Sequence, residues 1–440
     1  MLRFGTDGIR GVANVELTPE LVLALGRAAA RVLGGDTFAV GRDTRCSSEM
    51  LQAALSAGLT AEGIEQVVDL GVVPTPGVAH MAAAHEWAGA MISASHNPWT
   101  DNGVKFFNVG GRKLTDEQEE RLEAELDAAA RSTTANVGEI YKPIRGAQQY
   151  VDHLLEVLEG RSLKGLSVVL DCANGAASDV AAEVFSRLGA TVRSIAFLPD
   201  GTNINEGCGS THPETLQAAV VEHEADLGLA FDGDADRVLA VDHRGRLVDG
   251  DHLIALCALD LQERGRLKDD TVVVTVMTNL GFRLAMAERG IRVHETQVGD
   301  RYVLEALDAN GWSLGGEQSG HVIFRDLATT GDGILTGLQV ADLVLRSGRR
   351  LAELADAAMT RLPQVLRNVR VADRDGLALA HELWDEVAEV EAELGDHGRV
   401  LLRPSGTEPV VRVMVEAPTA EQAEAAARRL SDAVARACGA

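Results

Sequence analysis

The chain has 440 residues, of which 46% are hydrophobic, and it carries a formal net charge of −25 at pH 7. That length is too great for one hydrophobic core, so we expect several domains, and no apolar run approaches the roughly 20 residues that cross a bilayer. Because so acidic a protein repels nucleic acids and anionic membranes, neither is an expected partner, and an anionic substrate would need a local basic pocket or a bound cation.

The first residues and the cysteines indicate a cytoplasmic protein. The chain begins Met-Leu-Arg-Phe-Gly-Thr-Asp, without the apolar segment of a secretory signal. The five cysteines are scattered and include no CxxC pair: Cys46, Cys172, Cys208, Cys257 and Cys438. This usage is typical of a reducing compartment and argues against a disulfide or zinc framework.

A pattern of strand, loop, helix, glycine and strand occurs three times along the chain. The copies read TFAVGRDTR, SEMLQAALSAGLTAE and IEQVVDLG, then LSVVLDCANG, SDVAAEVFSRL and TVRSIAF, and then TVVVTVMTN, GFRLAMAER and IRVHET. Continuous Val, Ile and Leu runs that alternate with amphipathic helices predict strands buried on both faces of mixed or parallel sheets. Gly63, Gly189 and Gly290 stand where each helix needs a left-handed residue at its C-terminus.

The last part of the chain has a different pattern. A helix near LALAHELWDEVAEVEAEL precedes the strands RVLLRPS and VVRVMVEA, and a final helix begins with a capping box of Thr419 and Gln422. We therefore predict an α/β protein with three related mixed-sheet domains and a smaller C-terminal α+β domain. The expected bounds are 1–148, 149–248, 249–364 and 365–440.

The stretch FDGDADR is the strongest chemical signal. Asp232, Asp234 and Asp236 alternate within five residues, and three carboxylates this close repel one another unless a cation lies among them. Oxygen ligands favour Mg²⁺, Mn²⁺ or Ca²⁺. An EF-hand loop is excluded, because its glycine position holds Arg237 and its glutamate position holds His243. The apolar stretch ADLGLAF before it predicts a strand that carries the loop to the edge of a sheet, so a merely solvated acidic turn is disfavoured.

Two further loops contain groups that suit a phosphorylated ligand. RPSGTEPVVR combines a guanidinium, hydroxyls and an open turn, which can surround a phosphate although a structural turn is the alternative. GGEQSGH has two glycines that allow close approach of a ligand, followed by a carboxylate, a hydroxyl and a histidine. Arg10 in FGTDGIRG and Lys105 in DNGVKFF are candidate cations, and GRDTR is either a buried ion pair or a phosphate contact.

The stretch ISASHNP raises the question of what its serines do. A hydrolase nucleophile usually lies in G-x-S-x-G, and this loop has no such glycines. His96 follows Ser95 directly, so the two side chains need not face each other. A metal loop, a basic loop and a loop with sugar-binding chemistry favour a serine that carries a phosphoryl group.

Taken together, these motifs resemble the α-D-phosphohexomutase superfamily. SASHNP is similar to its phosphoserine loop, DGDADR to its metal loop, GGEQSGH to its sugar loop and RPSGTEP to its phosphate loop, and the four occur in the family's order across the whole chain. In that family the serine before His-Asn-Pro is the carrier, so the resemblance implies Ser95 and not Ser93. Trp99 is an unusual residue in this loop and could alter its fit.

The resemblance implies a fold around a central cleft and an intramolecular phosphotransferase reaction. FGTDGIRG, ISASHNP, GGEQSGH and RPSGTEPVVRVMVE look most like the bacterial members that interconvert glucosamine 6-phosphate and glucosamine 1-phosphate, on the way to UDP-N-acetylglucosamine and peptidoglycan. Members that act on mannose or glucose phosphates are the alternative. A sugar phosphate is the implied partner, and relatives suggest a homodimer.

The family's residues carry over onto matching positions. One Mg²⁺ would be held by four groups, phosphorylated Ser95, Asp232, Asp234 and Asp236. The other implied catalytic residues are the charge-stabilising Arg10, the proton-transfer candidates Lys105 and His321, and His96. The implied substrate-binding residues are Arg237, the sugar-binding Glu317 and Ser319, and the phosphate-binding Arg403, Ser405, Gly406, Thr407 and Arg412. A metal-independent serine hydrolase and a non-catalytic sugar-phosphate sensor are the rival interpretations, and neither requires this combination of loops.

Overall fold

The structure is a computed structural model that describes residues 8–126, 128–131, 134–372, 377, 380–404 and 409–439. The chain divides into two compact units, Met1–Met277 with Arg292–Ala358 and Thr278–Ile291 with Met359–Ala440. None of the helices in the described part of the chain has the length and apolar character needed to span a bilayer.

Six strands form the first sheet: β1 (Ile9–Val12), β2 (Thr37–Arg42), β3 (Gln66–Val72), β4 (Ala88–Ile92), β5 (Asp101–Phe107) and β6 (Glu139–Tyr141). Their order is β1-β5-β4-β2-β3-β6, with β5 antiparallel to both of its neighbours and the remaining pairs parallel. The helices of this segment are α1 (Pro19–Leu33), α2 (Ser48–Ala61), α3 (Thr75–His85), α4 (Asp116–Leu126) and α5 (Gln148–Glu156). The Thr18 hydroxyl accepts a hydrogen bond from Leu21 N at 3.3 Å and caps α1, which has Pro19 in its first turn.

The second sheet has five strands: β7 (Ser167–Asp171), β8 (Thr191–Ile195), β9 (Leu227–Phe231), β10 (Val238–Asp242) and β11 (Leu247–Val248). They run in the order β11-β10-β9-β7-β8, and the segment contains α6 (Ala177–Arg187) and α7 (Glu214–Glu222). Every residue of β9 and β10 is buried, as the continuous apolar runs predict.

The third sheet has four strands: β12 (Thr271–Thr275), β13 (Arg292–Thr296), β14 (Leu314–Gly316) and β15 (Val322–Phe324). Their order is β13-β12-β14-β15, and only the last pair is antiparallel. The associated helices are α8 (Gly250–Glu263), α10 (Asp300–Asn310), α11 (Gly333–Ser347) and α12 (Leu351–Ala358).

The second unit contains the antiparallel sheet β16 (Gln364–Arg370), β18 (Val410–Glu416) and β17 (Arg399–Pro404), with α9 (Leu280–Glu288), α13 (His381–Leu394) and α14 (Ala420–Cys438). Thr419 caps α14 as expected. Strand β16 was not anticipated, because its residues alternate between half-buried and exposed and give no continuous apolar run. Buried Glu416 accepts the Leu280 N–H at 2.9 Å, which ties the start of α9 to β18.

The three predicted repeats are confirmed as strand–helix–strand units. In each of them the two strands pair in parallel: β2 with β3, β7 with β8, and β12 with β13. Gly63, Gly189 and Gly290 have φ angles of 95°, 96° and 72° at the ends of the intervening helices. The prediction of mixed α/β sheets with a smaller C-terminal sheet is therefore confirmed.

Candidate active site

The loop between β4 and β5 carries the candidate serine. Ser95 is fully buried and has a φ of 51°, a left-handed conformation that is uncommon for serine. Its hydroxyl donates a hydrogen bond to Asp232 Oδ2 at 2.6 Å and lies 3.2 Å from His96 Nδ1. The loop of the first sheet thus directs this oxygen at the acidic loop of the second.

The neighbouring serine has a different environment. The Ser93 hydroxyl donates to Asp43 Oδ2 at 2.7 Å and accepts the Ser95 N–H at 2.9 Å. Asp43 in turn forms a fully buried ion pair with Arg45, so GRDTR forms the first of its two predicted alternatives. Ser93 therefore supports the loop, whereas Ser95 presents its oxygen to the carboxylates.

The acidic loop lies between the buried strands β9 and β10. Asp232, Asp234 and Asp236 are all buried, and one carboxylate oxygen from each lies within 4.8 Å of the others. Lys105 Nζ on β5 donates to Asp234 Oδ2 at 2.8 Å and to Asp236 Oδ2 at 3.3 Å. The Thr75 hydroxyl at the start of α3 donates to Asp234 Oδ2 at 2.6 Å. Side chains from β5 of the first sheet and from α3 thus contact the carboxylates of the acidic loop.

The electrostatics of the triad are uneven. Burial, followed by repulsion from Asp236 and Asp234, raises the pKa of Asp232 well above its usual range. Burial acts in the same direction on Asp236, but Lys105, His321 and Arg237 outweigh it and lower the pKa of that carboxyl well below its usual range. The three carboxyls are therefore not equivalent: ionisation of Asp232 is disfavoured and ionisation of Asp236 is favoured.

The donor set fits a hard divalent cation. Asp234 Oδ1 and Asp236 Oδ1 are buried and lack a hydrogen-bond partner among the described residues, and such atoms carry a large desolvation cost. Carboxylate oxygens are the ligands that Mg²⁺ and related ions prefer. Within the described residues, no other cluster of three acidic, histidine or cysteine side chains meets the spacing required of a shared ion site.

His96 lies beside Ser95, and the charges of Arg237 and Arg10 act on its ring. The Arg237 N–H donates to Asp232 Oδ1 at 3.2 Å, and its Nη1 lies 3.4 Å from His96 Nδ1. Arg10 lies on β1 opposite Gly103 of β5. Burial, followed by the charges of Arg237 and Arg10, lowers the pKa of His96 to about 4, so its ring is neutral at physiological pH.

His321 is buried between two carboxylates. Its Nε2 accepts the Gly331 N–H at 3.1 Å and is 3.3 Å from Asp300 Oδ2, while Nδ1 is 3.8 Å from Asp236 Oδ1. Burial lowers its pKa, but Asp300 and Asp236 outweigh that effect and the net pKa is raised. The protonated ring would donate Nε2–H to Asp300 and give up the Gly331 contact.

Three of the predicted ligand residues line one cavity. Arg237, Glu317 and Ser319 surround a space of about 380 Å³, together with Thr275, Met277, Val298 and Gln318. Glu317 Oε1 accepts the Gly299 N–H at 3.1 Å, and burial, partly offset by the charge of His321, raises the pKa of the Glu317 carboxyl. A guanidinium, a carboxylate and a hydroxyl can therefore contact one polar ligand.

Two of the predicted phosphate-binding residues, Arg403 and Arg412, lie on described strands of the second unit. Arg403 on β17 and Arg412 on β18 are directly opposite each other, and burial, followed by the charge of Arg412, lowers the pKa of Arg403. Like charges opposite each other are unfavourable unless an anion joins them. The predicted Ser405, Gly406 and Thr407 lie outside the described residues.

Sequence reasoning missed two residues that contact the site, and it left the effect of a third, Trp99, open. Neither Thr75, which bonds to Asp234, nor Asn205, which bonds to the serine loop, stands in a motif that signals this role. Trp99, the unusual residue of the loop, is 40% exposed.

The chain matches four domain models of known proteins along most of its length. They are the phosphoglucomutase/phosphomannomutase alpha/beta/alpha domains I (residues 1–132), II (148–245) and III (249–362), and the C-terminal domain (366–433). These matches and the fold define the class, which is that of the intramolecular phosphotransferases. The chain belongs to the phosphoglucomutase/phosphomannomutase family, and the resemblance to the phosphohexomutases is confirmed.

Individual relatives are similar over the full length. The chain is 56% identical to a phosphoglucosamine mutase of Streptomyces coelicolor and covers 99% of both chains, and it is 55% identical to that of Rhodococcus jostii, covering 98% and 99%. A phosphoglucomutase/phosphomannomutase family protein of Burkholderia thailandensis superposes with a TM-score of 0.83 at 27% identity, over 98% of this chain and 97% of that one.

Proposed function

We propose that the protein is a phosphoglucosamine mutase, which interconverts glucosamine 6-phosphate and glucosamine 1-phosphate through a phosphoserine and a bisphosphorylated sugar. Relatives of this name at 55–56% identity across the whole chain support the substrate. The 2.6 Å contact between the Ser95 hydroxyl and Asp232 is the observation that carries the mechanism. It places the candidate carrier oxygen at the cluster suited to a cation.

Ser95 would carry the phosphoryl group. The free hydroxyl of the sugar monophosphate attacks phosphorus, the bond to Ser95 Oγ breaks, and the hydroxyl proton passes to a base while Ser95 Oγ regains a proton. Lys105 and His321 are the candidates for these transfers, supported by their contacts with Asp236. The bisphosphorylated sugar then reorients and returns its other phosphoryl group to Ser95.

The metal would be Mg²⁺, held by Asp232, Asp234, Asp236 and an oxygen of phosphorylated Ser95. When bound, it would neutralise charge on the transferring phosphoryl group. Arg237 and Arg10 would add positive charge on the same side, as their effect on the pKa of His96 indicates.

The remaining predicted residues would hold the substrate. Glu317 and Ser319 would bind sugar hydroxyls in the cavity that they line with Arg237. Arg403 and Arg412, with the loop residues Ser405 to Thr407, would bind the phosphate that does not react; the facing guanidinium groups support this role. Each motif falls in one of the four proposed domains, 1–148, 149–248, 249–364 and 365–440. We also propose a cytoplasmic location, supported by five free cysteines.

The test is ³¹P NMR of the protein with glucosamine 6-phosphate, Mg²⁺ and a trace of hexose bisphosphate. Wild type, Ser95→Ala and an EDTA control would run in parallel. Ser93→Ala, which removes the other serine hydroxyl of the same loop, would be compared with Ser95→Ala. A 1-phosphate resonance that disappears in Ser95→Ala and in EDTA supports the proposal. Faster turnover of mannose or glucose phosphate would overturn the substrate, and full activity of Ser95→Ala would overturn the mechanism.

A further inference from the structure

Two backbone carbonyls of the serine loop are each held by the same two side chains. Arg45 Nη2 donates to Ser95 O at 3.0 Å and to Asn97 O at 2.6 Å. Asn205 Nδ2 donates to the same oxygens at 2.9 and 3.0 Å. The four hydrogen bonds fix the backbone on both sides of His96.

Both side chains that hold these carbonyls are buried. Arg45 is 2% exposed and paired with Asp43, and Asn205 is 7% exposed. Asn205 Oδ1 has no hydrogen-bond partner among the described residues. The NH₂ group therefore makes all the hydrogen bonds of this buried side chain, and both go to the serine loop. An oxygen placed there would face two carbonyl oxygens and repel them.

The four hydrogen bonds from Arg45 and Asn205 form a carbonyl clamp, which joins the serine loop to the segment that carries the acidic loop. Asn205 lies between β8 and α7, and its own N–H donates to Ala173 O at 2.9 Å. A Cβ atom added to Gly233, between two members of the triad, would lie 2.6 Å from Ser95 O and 2.9 Å from Asn205 Nδ2. The acidic loop, the amide and the Ser95 carbonyl therefore pack at one point.

The Ser95 backbone needs such support because its left-handed conformation is unfavourable for a residue with a side chain. In the free hydroxyl form, the bond from Ser95 Oγ to Asp232 also holds the loop. A phosphoserine has no hydroxyl hydrogen there and cannot donate this bond to Asp232. The carbonyl clamp is unaffected by this change, since it uses only backbone oxygens.

We propose that Asn205, together with Arg45, is a positioning residue that keeps Ser95 Oγ in place through both covalent states of the phosphoryl-transfer cycle. The proposal rests on the proposed phosphoserine function. Neither residue lines the cavity of Glu317 and Ser319, so the clamp acts on the carrier and not on substrate binding.

The variants Asn205→Asp and Asn205→Gly test this role. Asn205 has a φ of 60°, which aspartate and glycine tolerate, so neither change adds the backbone strain that alanine would. Asn203→Ala is the matched control, because this half-buried asparagine of the same loop bonds through its side chain to Leu198 O at 3.1 Å and to the Asp200 N–H at 3.0 Å, and not to the serine loop. Thermal unfolding of each protein verifies that it is folded at the assay temperature.

Two rates are measured for each protein. One is turnover of glucosamine 6-phosphate, and the other is Ser95 phosphorylation by glucose 1,6-bisphosphate, followed by intact mass. We expect both Asn205 variants to lose about 10- to 100-fold in kcat and in the labelling rate, because small displacements of reacting groups have effects of this size. KM should stay within about twofold of wild type, and Asn203→Ala should match wild type.

The outcomes separate the two proposals. Wild-type labelling without amino-sugar turnover overturns the proposed substrate. In that case the labelling rates of the Asn205 variants relative to wild type still test the role of the clamp. Variants that label within about twofold of wild type, or that lose activity through KM alone, overturn the clamp. Absence of labelling in the wild type overturns both.

Discussion

Replacing Lys105 with methionine removes the ammonium group that lies between two carboxylates of the triad. The Lys105 side chain is 4% exposed, and those of Asp234 and Asp236 are 0% and 3% exposed. At 2.8 and 3.3 Å, an effective dielectric constant of about 20 gives gross attractions of about 6 and about 5 kcal/mol. The substitution also removes the desolvation cost of burying the ammonium, which offsets part of this attraction. Breaking a buried pair typically costs about 3–5 kcal/mol.

We therefore expect Lys105→Met to lower the free energy of unfolding by about 3–5 kcal/mol in EDTA, measured by urea titration with far-UV circular dichroism. Added Mg²⁺ should stabilise the variant more than the wild type, because the ion supplies positive charge at the same carboxylates. Lys142→Met is the control: Lys142 pairs with Asp69 at 2.9 Å but is 71% exposed, so its loss should cost at most about 1 kcal/mol. Equal effects of the two variants would refute the reasoning.

Three other changes have defined outcomes. Burial, then the charges of His153 and His85, lowers the pKa of His80 to about 4, below the unfolded value of about 6.5, so the unfolded chain binds that proton more readily and stability falls as pH drops from about 6.5 to 4. His80→Phe should flatten the fall in urea midpoint between pH 7 and 5, and an unchanged slope would contradict this. Gly331→Ala places a Cβ atom 2.4–2.5 Å from the His321 ring; it should cost about 1–3 kcal/mol in stability and about tenfold or more in kcat/KM, whereas wild-type values would show that the ring position is unimportant. Arg403→Gln removes a like charge opposite Arg412, so the urea midpoint of the C-terminal unit should hold or rise while KM for the sugar phosphate increases; an unchanged KM would remove Arg403 from the phosphate site.

The strand–helix–strand repeats were predictable because their determinants are local. Apolar runs such as those of β9 and β12 are buried throughout, and the period of the flanking helices is visible in the sequence. The seven-residue strand β16 was missed because three of its residues are exposed and the other four are only partly buried, and because its pairing with β18 depends on a distant strand.

The site was predictable as a set of motifs but not as a set of contacts. The choice of Ser95 over Ser93 came from the residues that follow it, while the opposite environments of the two hydroxyls arise from Asp232 and Asp43. The residues that touch in the site are separated by long stretches of chain, and spacing alone cannot pair them.

By itself, the sequence determined the repeated α/β units and the acidic loop and singled out Ser95 as the candidate carrier, since each signal is encoded within a few consecutive residues. Only the tertiary structure decided that Lys105 lies between two carboxylates, that Thr75 bonds to Asp234 and that Asn205 holds the serine loop. Their partners lie on different sheets, and burial and charge act on them only after those sheets have packed.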